Sequence, residues 1–174
     1  RAVEPRIADP GIEETLYKTT ETQAALLRKY NLKGTFLLQY DALIRPNYQQ
    51  LMKAGLVPGS EVGAWFELTQ PHVEAAGLKW RGKYPWDWRT HVGFSVGYTP
   101  DERVKLVDAY MSKFKEIFGA YPKSVGSWFI DARTLAYMSD KYGIAASCNC
   151  KDQIGTDGYT LWGGYWNQAY YPSR

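Results

Sequence analysis

An α/β fold built on a parallel sheet is predicted by three observations. Short apolar stretches at residues 34–39, 61–67, 125–130 and 145–150 alternate with helix-like segments. Strands separated by helices in this way pair in parallel. One stretch also recurs: Val62-Gly63-Ala64-Trp65-Phe66-Glu67 returns as Val125-Gly126-Ser127-Trp128-Phe129-Ile130-Asp131. Each copy is apolar and aromatic and ends on a carboxylate, as expected of strands buried on both faces. Lastly, Thr99-Pro100-Asp101-Glu102 spells a helix start: Thr as N-cap, Pro at the first helical position and Glu at the third, a capping box.

Taken in order, residues 1–3 read as the tail of a strand. Asp9-Pro10 opens a helix, with Glu13 and Glu14 suited to its positive end. Ile12, Leu16, Leu26, Leu27 and Tyr30 give it an apolar face. After the strand at 34–39 comes a short helix over 46–54, with Gly55 closing it. Pro58-Gly59 turns the chain into the strand at 61–67. Residues 68–98 follow as a long irregular stretch holding both histidines and Trp80, Trp86 and Trp88. A loop of that length in a compact domain carries function or short elements of its own. From Thr99, apolar residues Val104, Val107, Tyr110, Met111, Phe114, Ile117 and Phe118 recur at helical spacing up to Gly119. Asp131 opens a last helix over 132–142, and a strand over 145–150 follows Gly143.

Composition narrows the function classes. The 174 residues suffice for one domain with a real core, expected to span 1–174 as a piece cut at both ends from a longer chain with further domains. The net charge of +3 is spread along the sequence, with no basic block to suggest nucleic acid or anionic lipid. No apolar run is long enough to cross a bilayer, so no membrane insertion is expected. Cys148 and Cys150 fall on one face of a strand, where they read as buried thiols rather than a disulfide or zinc site. Seven Trp and fourteen Tyr are the compositional signal. Many fall in expected loops, where ring faces stack on sugar C–H faces and a few polar groups take the hydroxyls.

Ligands of parallel α/β proteins bind beyond the C-terminal ends of the strands. Glu67 is therefore the first candidate for acid–base chemistry, on an exposed rim where substitution costs little stability. Glu4, Asp131 and Asp152 are possible partners by the same strand-end argument, although Asp131 also stands where an N-cap belongs. Trp65, Trp128 and Trp162 lie at or near strand ends, and Trp86 lies in the loop. All four are candidates for substrate binding, with Trp86 and Trp162 expected as sugar platforms. His72 and His91 are too far apart in sequence for a helical or strand ligand pair, and are expected first as structural residues and next as pocket hydrogen-bonding groups.

Several pieces, in this order and spacing, resemble the polysaccharide deacetylase superfamily. They are the segment 26–36 ending in Gly34-Thr35-Phe36, the strand start Glu61-Val62-Gly63, the helix closing in Gly119-Ala120-Tyr121-Pro122, and the segment 135–144 ending in Tyr142-Gly143-Ile144. The resemblance runs from about Thr15 to Gly163. It implies a distorted (β/α)7-type barrel, incomplete in this stretch, a glycan ligand, and a periplasmic or extracellular setting. That family holds a metal with an Asp and two His four residues apart. Here Trp65 and Thr69 stand where the His pair belongs, and Glu4 is the sole carboxylate of residues 1–6. No metal site is carried over and no cofactor is expected. The expectation is a glycan hydrolase using strand-end carboxylates on an oligo- or polysaccharide. The alternatives are a non-catalytic glycan-binding module and an atypical metal-dependent deacetylase.

Overall fold

The computed structural model describes residues 12–87 and 89–148. Glu4, Trp88, Cys150, Asp152, Trp162 and the Asp9-Pro10 helix start lie outside them. In chain order the elements are α1 (Glu13–Lys29), β1 (Thr35–Leu38), α2 (Tyr40–Leu43), α3 (Pro46–Ala54), β2 (Glu61–Trp65), α4 (Gln70–Ala75), α5 (Thr90–Gly93), a 3-10 turn (Ser95–Gly97), α6 (Pro100–Phe118), β3 (Ser124–Gly126), α7 (Ala132–Tyr142) and β4 (Ala146–Cys148). The fold is α/β. The four strands form one sheet in the order β1-β2-β3-β4, and each neighbouring pair is parallel. The two Trp-Phe segments therefore point the same way, with Trp65 in register with Gly126.

Local signals account for the helices. Thr99 accepts from Glu102 N–H, and the Glu102 carboxylate accepts from Thr99 N–H at 2.8 Å, so the capping box forms. Gly119 and Gly143 end α6 and α7 in left-handed conformations, φ 80° and 70°, which a side chain would strain. The expected irregular stretch after Glu67 is shaped by α4, α5 and the 3-10 turn. Two backbone bonds fold it back on its own start, just past β2: Leu68 N–H to Gly93 O at 2.8 Å, and Gln70 N–H to Pro85 O at 2.8 Å.

The core joins Leu38, Ala64, Phe66 and Val125 from the strand region to Leu106, Val107, Tyr110, Met111 and Phe114 of α6. Tyr110 donates its hydroxyl to Leu38 O, so the same ring that fills the core also holds the end of β1.

Three expectations are corrected. The second Trp-Phe segment is a strand only to Gly126; beyond it the Ser127 hydroxyl, rather than the strand ladder, meets the β2 side, donating to Phe66 O at 3.0 Å. Leu26 and Tyr30 do not face the core: they are exposed, and Ala24 is the buried residue of α1. Cys148 is exposed rather than a buried thiol.

Candidate functional site

Glu67 stands two residues beyond β2, at the C-terminal end of the sheet, but it does not line an open cleft. Its residue exposure is 3%, and an indole N–H reaches each carboxylate oxygen. Trp65 Nε1 donates to Oε2 at 2.9 Å, and Trp86 Nε1 donates to Oε1 at 2.8 Å. A carboxylate is among the costliest groups to bury, and two N–H donors offset that cost. Trp65 and Glu67 are two apart on an extended chain, so both side chains leave the same face. Trp86 comes from the folded loop and is itself buried.

Gly126 makes room for this arrangement. A Cβ there would fall 2.6 Å from Leu37 Cδ1 and 2.8 Å from Trp65 Cε3. Without that methyl group, the Trp65 indole lies across the neighbouring strand. Trp128 completes the set. Its ring meets Trp65 edge to face, centroids 5.5 Å apart at 83°, and the residue is 41% exposed. Ring by ring, the site thus runs from solvent at Trp128, through Trp65, to the carboxylate of Glu67.

Asp131 belongs to a different network. Its Oδ1 accepts from Thr134 N–H at 2.9 Å, which caps α7, and pairs with Arg103 at 3.0 Å. Its Oδ2 accepts from Ser95 Oγ at 2.6 Å and Thr134 Oγ1 at 2.5 Å. Burial works against its charge, but these hydrogen bonds and the Arg103 guanidinium outweigh burial and hold the carboxyl below the usual Asp range. Both oxygens are therefore committed to joining the 3-10 turn, α6 and α7, which leaves no oxygen open for proton transfer.

His72 is placed in the core rather than in a ligand pocket. It is fully buried, stacks on Tyr40 with centroids 4.7 Å apart, and meets Phe66 edge to face at 5.4 Å. Its Nε2 lies 2.8 Å from Leu106 O, so Nε2 carries the proton. Burial pushes its pKa down to about 4, while the Leu106 bond pulls the other way. His91 is exposed on α5. Among the described residues, no group of three His, Cys, Asp or Glu is placed to hold a metal ion.

Sequence reasoning singled out Glu67, Trp65, Trp86 and Trp128 separately, and the structure brings them together. It missed Gly126 as the seat of Trp65, and Ser95 and Arg103 as partners of Asp131. The register of a parallel pair is not written in either strand alone, so Gly126 carried no local signal. No family model, curated protein or solved structure matches the chain.

Proposed function

We propose that this chain is a carbohydrate-active domain that takes saccharide at the C-terminal rim of its parallel sheet, with Trp128 as the platform. One observation carries this reading: a large ring open to solvent at a strand end, braced by a second indole that is itself hydrogen-bonded to a carboxylate. Such an aromatic wall with few polar groups suits a sugar's alternating C–H and O–H surface. Glu67 is closed over by two donors, which favours binding over turnover. The domain is then a glycan-binding module on a deacetylase-like scaffold. The strand order supports a (β/α)7-type barrel. It follows the chain without reversal, whereas a doubly wound sheet reverses at a switch point.

The test is titration of the intact protein against a panel of oligosaccharides, followed by Trp128→Ala. Loss of a central aromatic contact should weaken binding at least about tenfold. Binding that Trp128→Ala leaves unchanged, or no binding across the panel, overturns the proposal.

A second reading is a glycan hydrolase with Glu67 as the acid–base group. It is favoured by the position of Glu67 at the strand end and by the two N–H groups that fix its orientation. In this reading the Trp86 indole swings off Oε1 to admit the glycosidic oxygen. The partner carboxylate is Glu4 or Asp152, since Asp131 is committed elsewhere. Glu67→Gln then lowers glycan release at least ~100-fold. Undiminished release by that variant excludes Glu67 as the acid–base group.

A further inference from the structure

Half of the large apolar side chains left exposed among the described residues gather at the C-terminal end of α1: Leu26 at 51%, Tyr30 at 62% and Leu32 at 54%. The backbone there explains the grouping. Leu32 N–H bonds to Leu27 O at 2.9 Å and Asn31 N–H to Arg28 O at 3.1 Å, with Asn31 at φ 50°. This is a Schellman closure, which folds the chain back over the last turn. It sets Leu32 beside the turn that carries Leu26 and Tyr30.

The charge pattern along the sequence shows no basic block and gave no expectation of anionic lipid, but these few residues supply three cations beside the exposed apolar side chains. Arg28, Lys29 and Lys33 are exposed, and no acidic residue occurs between Glu21 and Asp41. Lys29 Nζ lies 5.3 Å from the Tyr30 ring centroid, and an Arg28 N–H donates to Gly55 O. The acid bonded closest by backbone is Glu61, whose N–H meets Gly34 O at 2.9 Å and which is itself partly buried.

We propose that this helix end is a peripheral docking site for an anionic lipid surface. Two leucines and a tyrosine suit the boundary between headgroups and acyl chains, where Tyr is favoured for its apolar ring and polar tip. Lysine and arginine around them reach lipid phosphates. This is attachment to a surface, not spanning: no described helix is long and apolar enough to cross a membrane. A second copy of the chain fits less well. A twofold contact would set these cations against their own copies, and three side chains fall short of the roughly 800 Å² per partner of a stable protein interface.

The experiment is co-sedimentation of the intact protein with vesicles of phosphatidylglycerol and phosphatidylcholine, against vesicles of phosphatidylcholine alone. The protein should pellet with the anionic vesicles at low salt, and release as salt screens the headgroups. Lys29→Glu/Lys33→Glu and Leu26→Ser/Leu32→Ser should each weaken that binding at least about tenfold. Both pairs are exposed, so unchanged far-UV circular dichroism will separate lost docking from lost fold. No pelleting with anionic vesicles, equal pelleting with both kinds, or full binding by either variant overturns the proposal. A dimer in sedimentation velocity that Leu26→Ser/Leu32→Ser dissolves, without lipid binding, assigns the patch to self-association instead.

Discussion

Trp86 donates its indole N–H to Glu67 Oε1 at 2.8 Å across 19 residues of chain. This bond joins the folded loop to the end of β2 and buries the strand-end carboxylate. A residue expected on an exposed rim is instead part of the interior. Glu67→Gln keeps the shape but turns one acceptor oxygen into an NH2 that faces an indole N–H. It should therefore cost about 1–3 kcal/mol, the scale of an unsatisfied buried polar group, rather than the few tenths of an exposed substitution. Urea unfolding of the two proteins measures this directly.

Gly126→Ala tests the seat of Trp65. The added methyl would fall within 2.8 Å of both Trp65 and Leu37 atoms, so the indole must shift. Overpacking of this kind costs about 1–3 kcal/mol. Near-UV circular dichroism should change at the tryptophan bands, because the Trp65–Trp128 edge contact is lost with the shift. Saccharide binding, where measured for the parent, should fall together with that signal.

Asp131→Asn and Asp131→Ala separate capping from ion pairing. Asn still caps α7, so it loses the Arg103 pair and keeps the bond to Thr134 N–H. Ala loses both, and should be further destabilised by about 1 kcal/mol, the usual worth of an N-cap. A double-mutant cycle with Arg103→Met isolates the pair. Equal stability of the Asn and Ala variants would remove the cap from the account.

Acid should unfold the protein in two stages. The buried His72 titrates at about 4 when folded, against 6.5 for the ordinary imidazole. Between those values the unfolded chain binds more protons. Stability is therefore fully present above pH 6.5 and falls as pH drops through that window, by about 3 kcal/mol in all. Asp131 is held below 3.8, and so is Asp108 of α6, where burial is outweighed by hydrogen bonds from Tyr142, Tyr137 and Lys141; their share persists to lower pH and is lost as pH falls through their folded values. Chemical denaturation at a series of pH values should show the upper stage flattened in His72→Gln. An unchanged slope between pH 4 and 6.5 in that variant would assign the loss to another group.

What the sequence by itself determined was local. The capping box at Thr99, the glycine stops at Gly119 and Gly143, and the cap at Asp131 act within a turn or two of chain, so their residues spell them out. The alternation of strand and helix implied parallel pairing, because a helix between two strands supplies the crossover that a parallel pair needs, and β2 and β3 do pair that way. Tertiary structure decided everything that depends on which distant atoms meet. Leu26 and Tyr30 have the spacing of a core-facing stripe, yet helical spacing says only that they share a side, not what that side meets. For His72 the sequence left a structural role and a pocket role both open, and packing against Tyr40 and Tyr110 put it inside. Glu67 ended a strand as expected. Its burial depended on Trp86 from the folded loop and on the gap at Gly126 across the sheet, and contacts between distant segments leave no trace in the spacing of either one.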